Sequence, residues 1–295
     1  VFAIEPALAR NAREVDAVLD SLLPPRADLE GRLMEAIRYT ALSSGKRIRP
    51  FLVMASSQLF NVSREYALRV AAAIEMVHCY SLVHDDLPAM DNDDLRRGLP
   101  TCHVKFDEAT AILAGDALLA RAFEVIADAA THPDPRVRAD IVFALAHAAG
   151  FEGMVGGQML DLLAERQSFG IAEITRMQRM KTGALIAFSC EAGALLGKAG
   201  DQARHALRAY AHDLGLAFQI VDDLLDVEGD EEVLGKRTKK DEHAGKATFV
   251  SILGVERARA QSSMLARQAI QHLDMFADEA EPLRALADFV VTRKC

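Results

Sequence analysis

The chain has no tryptophan, and aromatic residues make up only 6% of its 295 positions. Its four cysteines, Cys79, Cys102, Cys190 and Cys295, include no CxxC pair. Thiols scattered in this way argue against a zinc site or a disulfide framework and leave a reducing cytoplasm as the default compartment. No uninterrupted apolar run approaches the roughly 20 residues of a membrane span. The most apolar stretch, Ala184 to Gly197, is broken by Glu191. The start of the chain lacks the basic-then-apolar pattern of a signal peptide. Basic charge is not in excess either. With 34 Lys and Arg against 43 Asp and Glu, the net charge is −9, and no basic stripe suggests nucleic acid.

What is present is helix-forming sequence. Ala, Leu, Glu, Arg and Met are abundant, and no period-2 run of β-branched residues persists. Leu29, Leu33, Ala36, Ile37 and Thr40 recur at the spacing of one helix face. Turn signals are sparse and fall at Leu23-Pro24-Pro25, Ser43-Ser44-Gly45, Gly98-Leu99-Pro100, His132 to Pro135, Gly197 to Gly200 and Glu228 to Gly245. No Gly/Ser-rich linker and no solenoid-period repeat separates them. The pattern predicts a single all-α domain over 1–295, a large helical bundle with a central cavity between its helices.

Two aspartate clusters stand out against this apolar background. Asp85-Asp86 closes with Asp91, and Asp222-Asp223 closes with Asp226. Two carboxylates about 4 Å apart repel by roughly 4 kcal/mol at an effective dielectric of 20, and burial adds a desolvation cost. A divalent cation offsets both, and oxygen ligands of this kind suit Mg²⁺. The second cluster is regular: Asp222 and Asp226 stack at i, i+4, Gln219 at i−3 joins their face, and Asp223 turns about 100° away. The first bends. Asp85 and Asp91 lie about 240° apart on an ideal helix, and Pro88 interrupts it, so the segment reads as a helix end running into a loop that folds back. Carboxylates at a helix C-terminus oppose the dipole, which again favours a bound cation. The alternating ligands and central Gly of an EF-hand are missing.

Basic segments complete the pattern. Gly45-Lys46-Arg47-Ile48-Arg49-Pro50 places three cations in four residues, Arg96-Arg97-Gly98 follows the first cluster, and Lys181-Thr182-Gly183 and Lys236 to Asp241 add more. Arg offers a planar bidentate donor to phosphate oxygens and Lys a flexible point charge. Beside two metal-type clusters, they point to a strongly anionic ligand such as a diphosphate.

In these segments, together with Gly156-Gly157-Gln158 and the stretches around Lys240 and Lys246, the chain resembles the all-trans polyprenyl diphosphate synthases, most closely the bacterial farnesyl-producing members. The ordered motifs run from Gly45 to Thr248. The resemblance implies a Mg²⁺-dependent, head-to-tail condensation of isopentenyl diphosphate with dimethylallyl or geranyl diphosphate. It assigns three metal ions to Asp85, Asp86, Asp91, Asp222 and Asp226. Lys46, Arg49, His78 and Arg97 match the isopentenyl diphosphate pocket. Arg96, Lys181 and Lys240 match allylic diphosphate contacts, and Thr182 and Gln219 offer oxygen dipoles to a carbocation. The final proton goes to the released diphosphate, and the Lys236 to Lys246 loop is expected to close over the site. A homodimer is likewise implied only by resemblance.

Product length in this family depends on the residues just before the first motif, here Tyr80 and Ser81. An aromatic at Tyr80, with two extra residues inside the motif relative to DDxxD, favours a C15 product over C20 or C10. A terpene cyclase, a head-to-head synthase and a non-catalytic regulatory relative fit less well, since the chain keeps both Asp motifs and the basic segment. Lys239 departs from the family's frequent Gly there, and Arg293-Lys294-Cys295 shows no distinctive motif.

Overall fold

The computed structural model describes residues 2–228 and 248–293. Its helices run α1 (Ile4–Leu22), α2 (Gly31–Ala41), α3 (Ile48–Gln58), α4 (Arg64–Asp85), α5 (Cys102–Lys105), α6 (Glu108–Ala127), α7 (Pro135–Ala149), α8 (Met154–Ala164), α9 (Ile171–Gln178), α10 (Ala184–Leu196), α11 (Asp201–Glu228), α12 (Phe249–Leu253), α13 (Val255–Gln271) and α14 (Glu281–Thr292). A π-helical turn, Arg179–Gly183, joins α9 to α10, and a 3₁₀ segment, Asp274–Ala280, precedes α14. Among the described residues the only strands are a short hairpin, β1 (Leu95–Arg96) paired with β2 (Leu99–Pro100). The all-α expectation holds.

The turn signals sit where the helices break, because local chemistry settles those ends. Asp107 caps α6 by accepting from the Thr110 amide at 2.7 Å. Asp134 caps α7 from the Arg136 amide at 2.9 Å, with Pro135 at the first helical position, where its missing N–H costs nothing. One expectation needs correction. Leu29 does not belong to the face formed by Ala36 and Ile37, because α2 begins only at Gly31 and Leu29 is fully exposed in the preceding turn.

Helix α4 is the axis of the bundle. Val70 through Val77 are buried all round, as a helix without a polar face must be. It packs on α3 and α6, while α11 packs on α10 and α13. By length and mean hydropathy α4 could cross a bilayer, and so could the stretch Pro135–Ala164. Two-thirds of the apolar window of α4 is buried in the protein core. Cys79, Cys102 and Cys190 are free thiols buried in the core.

A buried ion pair ties three parts of the fold together. Arg47 has left-handed backbone, φ 50°, at the start of α3. Its guanidinium donates to Glu75 at 2.5 Å in the middle of α4, to Asp16 at 2.9 Å in α1, and to the Ala41 and Ser43 carbonyls at 2.8 Å each. Every polar atom of the fork is thus engaged where water is excluded. Removing one partner of such a pair strands a buried charge. Glu75→Ala is expected to lower unfolding free energy by about 3–5 kcal/mol, measured by urea denaturation, and Glu75→Gln by less.

Candidate active site

The first aspartate cluster forms where α4 runs out of helix. Asp85 is its last residue and Asp86 its cap. The chain then folds back, with the Asp91 amide donating to the Asp85 carbonyl at 2.8 Å and the Asp93 amide to the Asp86 carbonyl at 3.2 Å. This return brings Asp91 next to Asp85 despite their separation on an ideal helix. The hairpin that follows turns through Arg97 and Gly98, both at positive φ. That geometry suits a two-residue hairpin turn. It swings Arg96 back onto Asp86, giving a bidentate pair with Nε at 2.8 and 3.1 Å and Nη2 at 2.5 Å, and a further contact to Asp93 at 3.6 Å. Arg97 points the other way and donates to the Ser44 carbonyl.

Asp85 itself is not neutralised. Burial pushes its carboxyl up to about 6; Lys181 opposes the rise and Asp91 adds to it. Asp91 and Asp226 make no hydrogen bond or ion pair among the described residues.

The second cluster lies along α11. Asp222 pairs with Arg293, just beyond α14, at 2.5 Å. Asp223 is buried and accepts from the Phe249 amide at 3.0 Å, capping α12, and from Gln219 Nε2 at 3.3 Å. Gln219 therefore shares the side of Asp223, its i+4 neighbour, and not that of Asp222 and Asp226. Its Oε1 accepts from the Thr182 hydroxyl at 3.1 Å. The two oxygen-bearing side chains are thus bonded to each other.

Lys181 and Thr182 stand on the π-helical turn, a feature that frequently marks functional sites. The Gly156-Gly157 pair explains how it is reached. A Cβ on Gly157 would fall 2.2 Å from the Lys181 amide nitrogen, so α8 meets the turn backbone to backbone. From α8, Asp161 accepts from Lys181 Nζ at 2.6 Å.

Two cavities meet here. One, of about 400 Å³, is bordered at its polar end by Arg49, His78, Asp85, Lys181 and Thr182. Its apolar depth is formed by Tyr80, Met154, Met159 and Leu185 among others, and Ser81 reaches it too. The second, of about 340 Å³, is bordered by Lys46, Arg49, His78, Arg97, Phe218 and Arg293. Arg49 and His78 line both. Burial and the neighbouring Arg49 and Arg97 charges hold the His78 imidazole well below its ordinary value, so it is neutral at pH 7. The buried Nε atoms of Arg49 and Arg293 have no hydrogen-bond partner. Unsatisfied donors in a cation-rich pocket suit an anion with many acceptors, such as a diphosphate.

The structure brings together most of the residues expected from sequence. Lys240 and the Lys236 to Lys246 loop lie outside the described residues. Arg293 and Asp161 were not anticipated. No sequence signal marks Arg293, a lone arginine after the last helix, whereas Asp161 follows the Gly156-Gly157-Gln158 motif by three residues.

Comparison with known proteins agrees with this geometry. The polyprenyl synthetase family model matches residues 30–286. The chain belongs to that family. It is 46% identical over 288 residues to a farnesyl diphosphate synthase from Escherichia coli, covering 95% of this chain and 96% of the relative. A geranylgeranyl diphosphate synthase from Cyanophora paradoxa is 44% identical over 262 residues, covering 88% of this chain and 87% of the relative. Among solved structures, an apo FPP/GFPP synthase from Zymomonas mobilis superposes with a TM-score of 0.90 at 49% identity, covering 98% and 99% of the two chains. A geranyltransferase from Helicobacter pylori, complexed with magnesium and isoprenyl diphosphate, superposes at 0.85 with 31% identity and 99% and 97% coverage. The fold is that of the isoprenoid synthases, and the chain is a trans-prenyltransferase of the farnesyl diphosphate synthase type that carries out short-chain trans-prenyl diphosphate condensation.

Among the described residues, no three His, Cys, Asp or Glu side chains converge closely enough to enclose a metal ion. The chemistry of the donors nevertheless fits Mg²⁺, with all-oxygen groups and a half-buried Asp85 carboxylate left without a neutralising partner. The raised Asp85 value has a consequence for stability. Its native carboxyl holds a proton up to about 6, whereas an unfolded one loses it near 4. Ionised Asp85 therefore costs metal-free protein stability above about pH 6, and the cost fades as pH falls toward 4. Asp85→Asn should raise the unfolding free energy of metal-free protein by about 1–3 kcal/mol at pH 7.5. Denaturation at pH 4 should show almost no gain.

Proposed function

We propose that the chain makes farnesyl diphosphate, condensing isopentenyl diphosphate with dimethylallyl and then geranyl diphosphate in the presence of Mg²⁺. The observation that supports this reading is the adjacency of the two cavities. A basic pocket and an apolar cavity with a carboxylate at its mouth share Arg49 and His78 at their border. The basic pocket takes the diphosphate of isopentenyl diphosphate on Lys46, Arg49, Arg97 and Arg293, with neutral His78 as a hydrogen-bonding neighbour. The apolar cavity takes the allylic chain.

Asp85, Asp91, Asp222 and Asp226 would hold Mg²⁺, three ions in all, with Asp86 supporting through its bond to Arg96. Held there, Mg²⁺ would supply positive charge against the diphosphate leaving group. Lys181, fixed by Asp161, adds a positive charge beside Asp85. Arg96 contributes to the allylic diphosphate site chiefly by holding Asp86. The Thr182 hydroxyl borders the polar end of the cavity, where a carbocation would form, and Gln219 orients it by accepting its hydrogen. Water must be kept out until the new C–C bond forms, since it would trap the cation as an alcohol. The departing diphosphate then accepts the proton released on elimination.

Tyr80 supports a C15 limit. It is almost fully buried, and its ring lines the apolar cavity five residues before Asp85 on α4. For the homodimer proposed here, the exposed apolar side chains Ile112 and Leu113 on α6 and Phe143 on α7 are open to a second copy of the chain. The reading places the protein in the cytoplasm.

Incubation with isopentenyl and dimethylallyl diphosphates plus Mg²⁺, followed by chromatography of the dephosphorylated products, should give mainly a C15 alcohol. No condensation with either C5 or C10 starters would sink the assignment. Asp85→Ala and Asp222→Ala should each lower kcat by roughly 10³-fold or more, several kcal/mol of transition-state stabilisation. A near-normal rate in either variant would remove that residue from the metal site. Arg293→Ala should raise KM for isopentenyl diphosphate about tenfold while changing KM for the allylic substrate little, in line with the loss of one charge-assisted contact.

A further inference from the structure

Beside Tyr80, on the side of Asp85, a second ring lines the cavity. One turn along α4, the His84 ring meets the Tyr80 ring edge to face, with centroids 5.4 Å apart and planes at 88°. The same imidazole lines the cavity and also presses on α6. Its Nε2 lies 3.0 Å from the Ile112 carbonyl oxygen and 4.0 Å from Asp116 Oδ1. A carbonyl oxygen only accepts, so Nε2 carries the hydrogen in this contact.

Helix α6 leaves room for the ring because position 115 has no side chain. A Cβ on Gly115 would fall 2.1 Å from His84 Nε2, 2.5 Å from Cδ2 and 2.9 Å from Cε1. The ring edge thus occupies the space that any other residue would need. Gly115 lies inside α6, away from either end, where glycine weakens a helix and its backbone freedom serves no turn. Space for His84 is the physical reason for it.

We propose that His84 and Gly115 form a brace that sets the depth of the apolar cavity, and so act as positioning residues that select product chain length. The proposal rests on the assignment of Tyr80 as the cavity floor. Held between α6 and Tyr80, the imidazole keeps the phenol ring upright across the cavity. Removing the imidazole opens space between Tyr80 and α6 into which the phenol ring can swing, and the cavity deepens. Adding a methyl group at position 115 drives the imidazole off α6 toward the cavity it already lines, and the floor rises.

The two changes therefore act in opposite directions. With isopentenyl diphosphate, dimethylallyl diphosphate and Mg²⁺, His84→Ala should raise the C20:C15 product ratio roughly tenfold, a discrimination typical of one altered side chain in an apolar pocket. Gly115→Ala should raise C10:C15 by a similar factor. In the double variant the shift toward C10 should vanish, since no ring remains to be displaced. His84→Gln, whose amide can donate to the Ile112 carbonyl, should return the ratio part-way to that of the unmodified chain. Ratios are compared at matched conversion of isopentenyl diphosphate, so a slower enzyme does not obscure the result. Unchanged ratios in both single variants, or shifts in the same direction, would overturn the brace. Should Gly115→Ala melt at the assay temperature by circular dichroism, His84→Ala, which only removes atoms, decides alone. Failure of the unmodified chain to condense substrates defeats the proposed function instead, whereas a C15 product with indifferent variants defeats only the brace.

Discussion

Carboxylates at the carbonyl end of a buried helix face both the negative end of its dipole and the loss of water. In this chain that unfavourable end is the C-terminus of α4, and the local architecture is organised around keeping it in place. Asp86 is neutralised by Arg96, which the hairpin returns to it. Asp85 is left as an anion under burial, its proton affinity raised. The contrast is produced by neighbours, since the two residues are adjacent in sequence. One carboxylate is fixed so that the other can remain available to a cation.

The same division of labour recurs through the site. In the second cluster, Asp223 is used up in capping α12 and orienting Gln219, while Asp226 is left without a protein partner among the described residues. In the basic segment, Arg47 spends its whole guanidinium on Glu75, Asp16 and two carbonyls, whereas Arg49 reaches the basic pocket with its Nε unpaired. Each motif therefore combines a residue that builds the scaffold with one that faces the ligand. Arg47 is expensive to bury, and its satisfaction from three directions is what fixes the segment carrying Lys46 and Arg49. The consequence for electrostatics is an uneven distribution. Cations dominate the 340 Å³ pocket, whereas the apolar cavity carries the Asp85 carboxylate beside Arg49 and Lys181.

Much of this was legible in the sequence because it depends on short-range rules. Helix breaks followed from Pro24-Pro25 and Pro133 to Pro135, and the fold-back after Asp85 followed from Pro88. The i, i+4 spacing of Asp222 and Asp226 fixed their common face. What was not legible depends on contacts between distant segments. Leu29 continues the apolar period of α2 but lies before its first turn, because periodicity alone does not locate a helix start. Gln219 is three residues from Asp222 and four from Asp223, and only the position of the Phe249 amide shows which carboxylate it joins. Arg293 is 71 residues from Asp222; its role comes from where α14 ends in space. The π-helical turn under Lys181 is likewise invisible, since its cause is the close approach of α8 at Gly157.

One coupling runs from the outer surface to the reaction cavity. The α6 face that bears exposed Ile112 and Leu113 also supplies, through the Ile112 carbonyl, the acceptor for His84. His84 contacts Tyr80, and both lie within about one and a half helical turns of Asp85 on α4. A helix is stiff along its axis and its side chains interlock with little free volume, so a displacement of α6 by a fraction of an ångström must be taken up at its nearest contacts. Those contacts are the imidazole against Gly115 and the phenol against the imidazole. Under the proposed reading, the surface offered to a second copy of the chain and the contact that braces the product floor are therefore carried by the same helix, α6. Pocket depth in this fold is then a property of helix packing as much as of the residues that line the cavity.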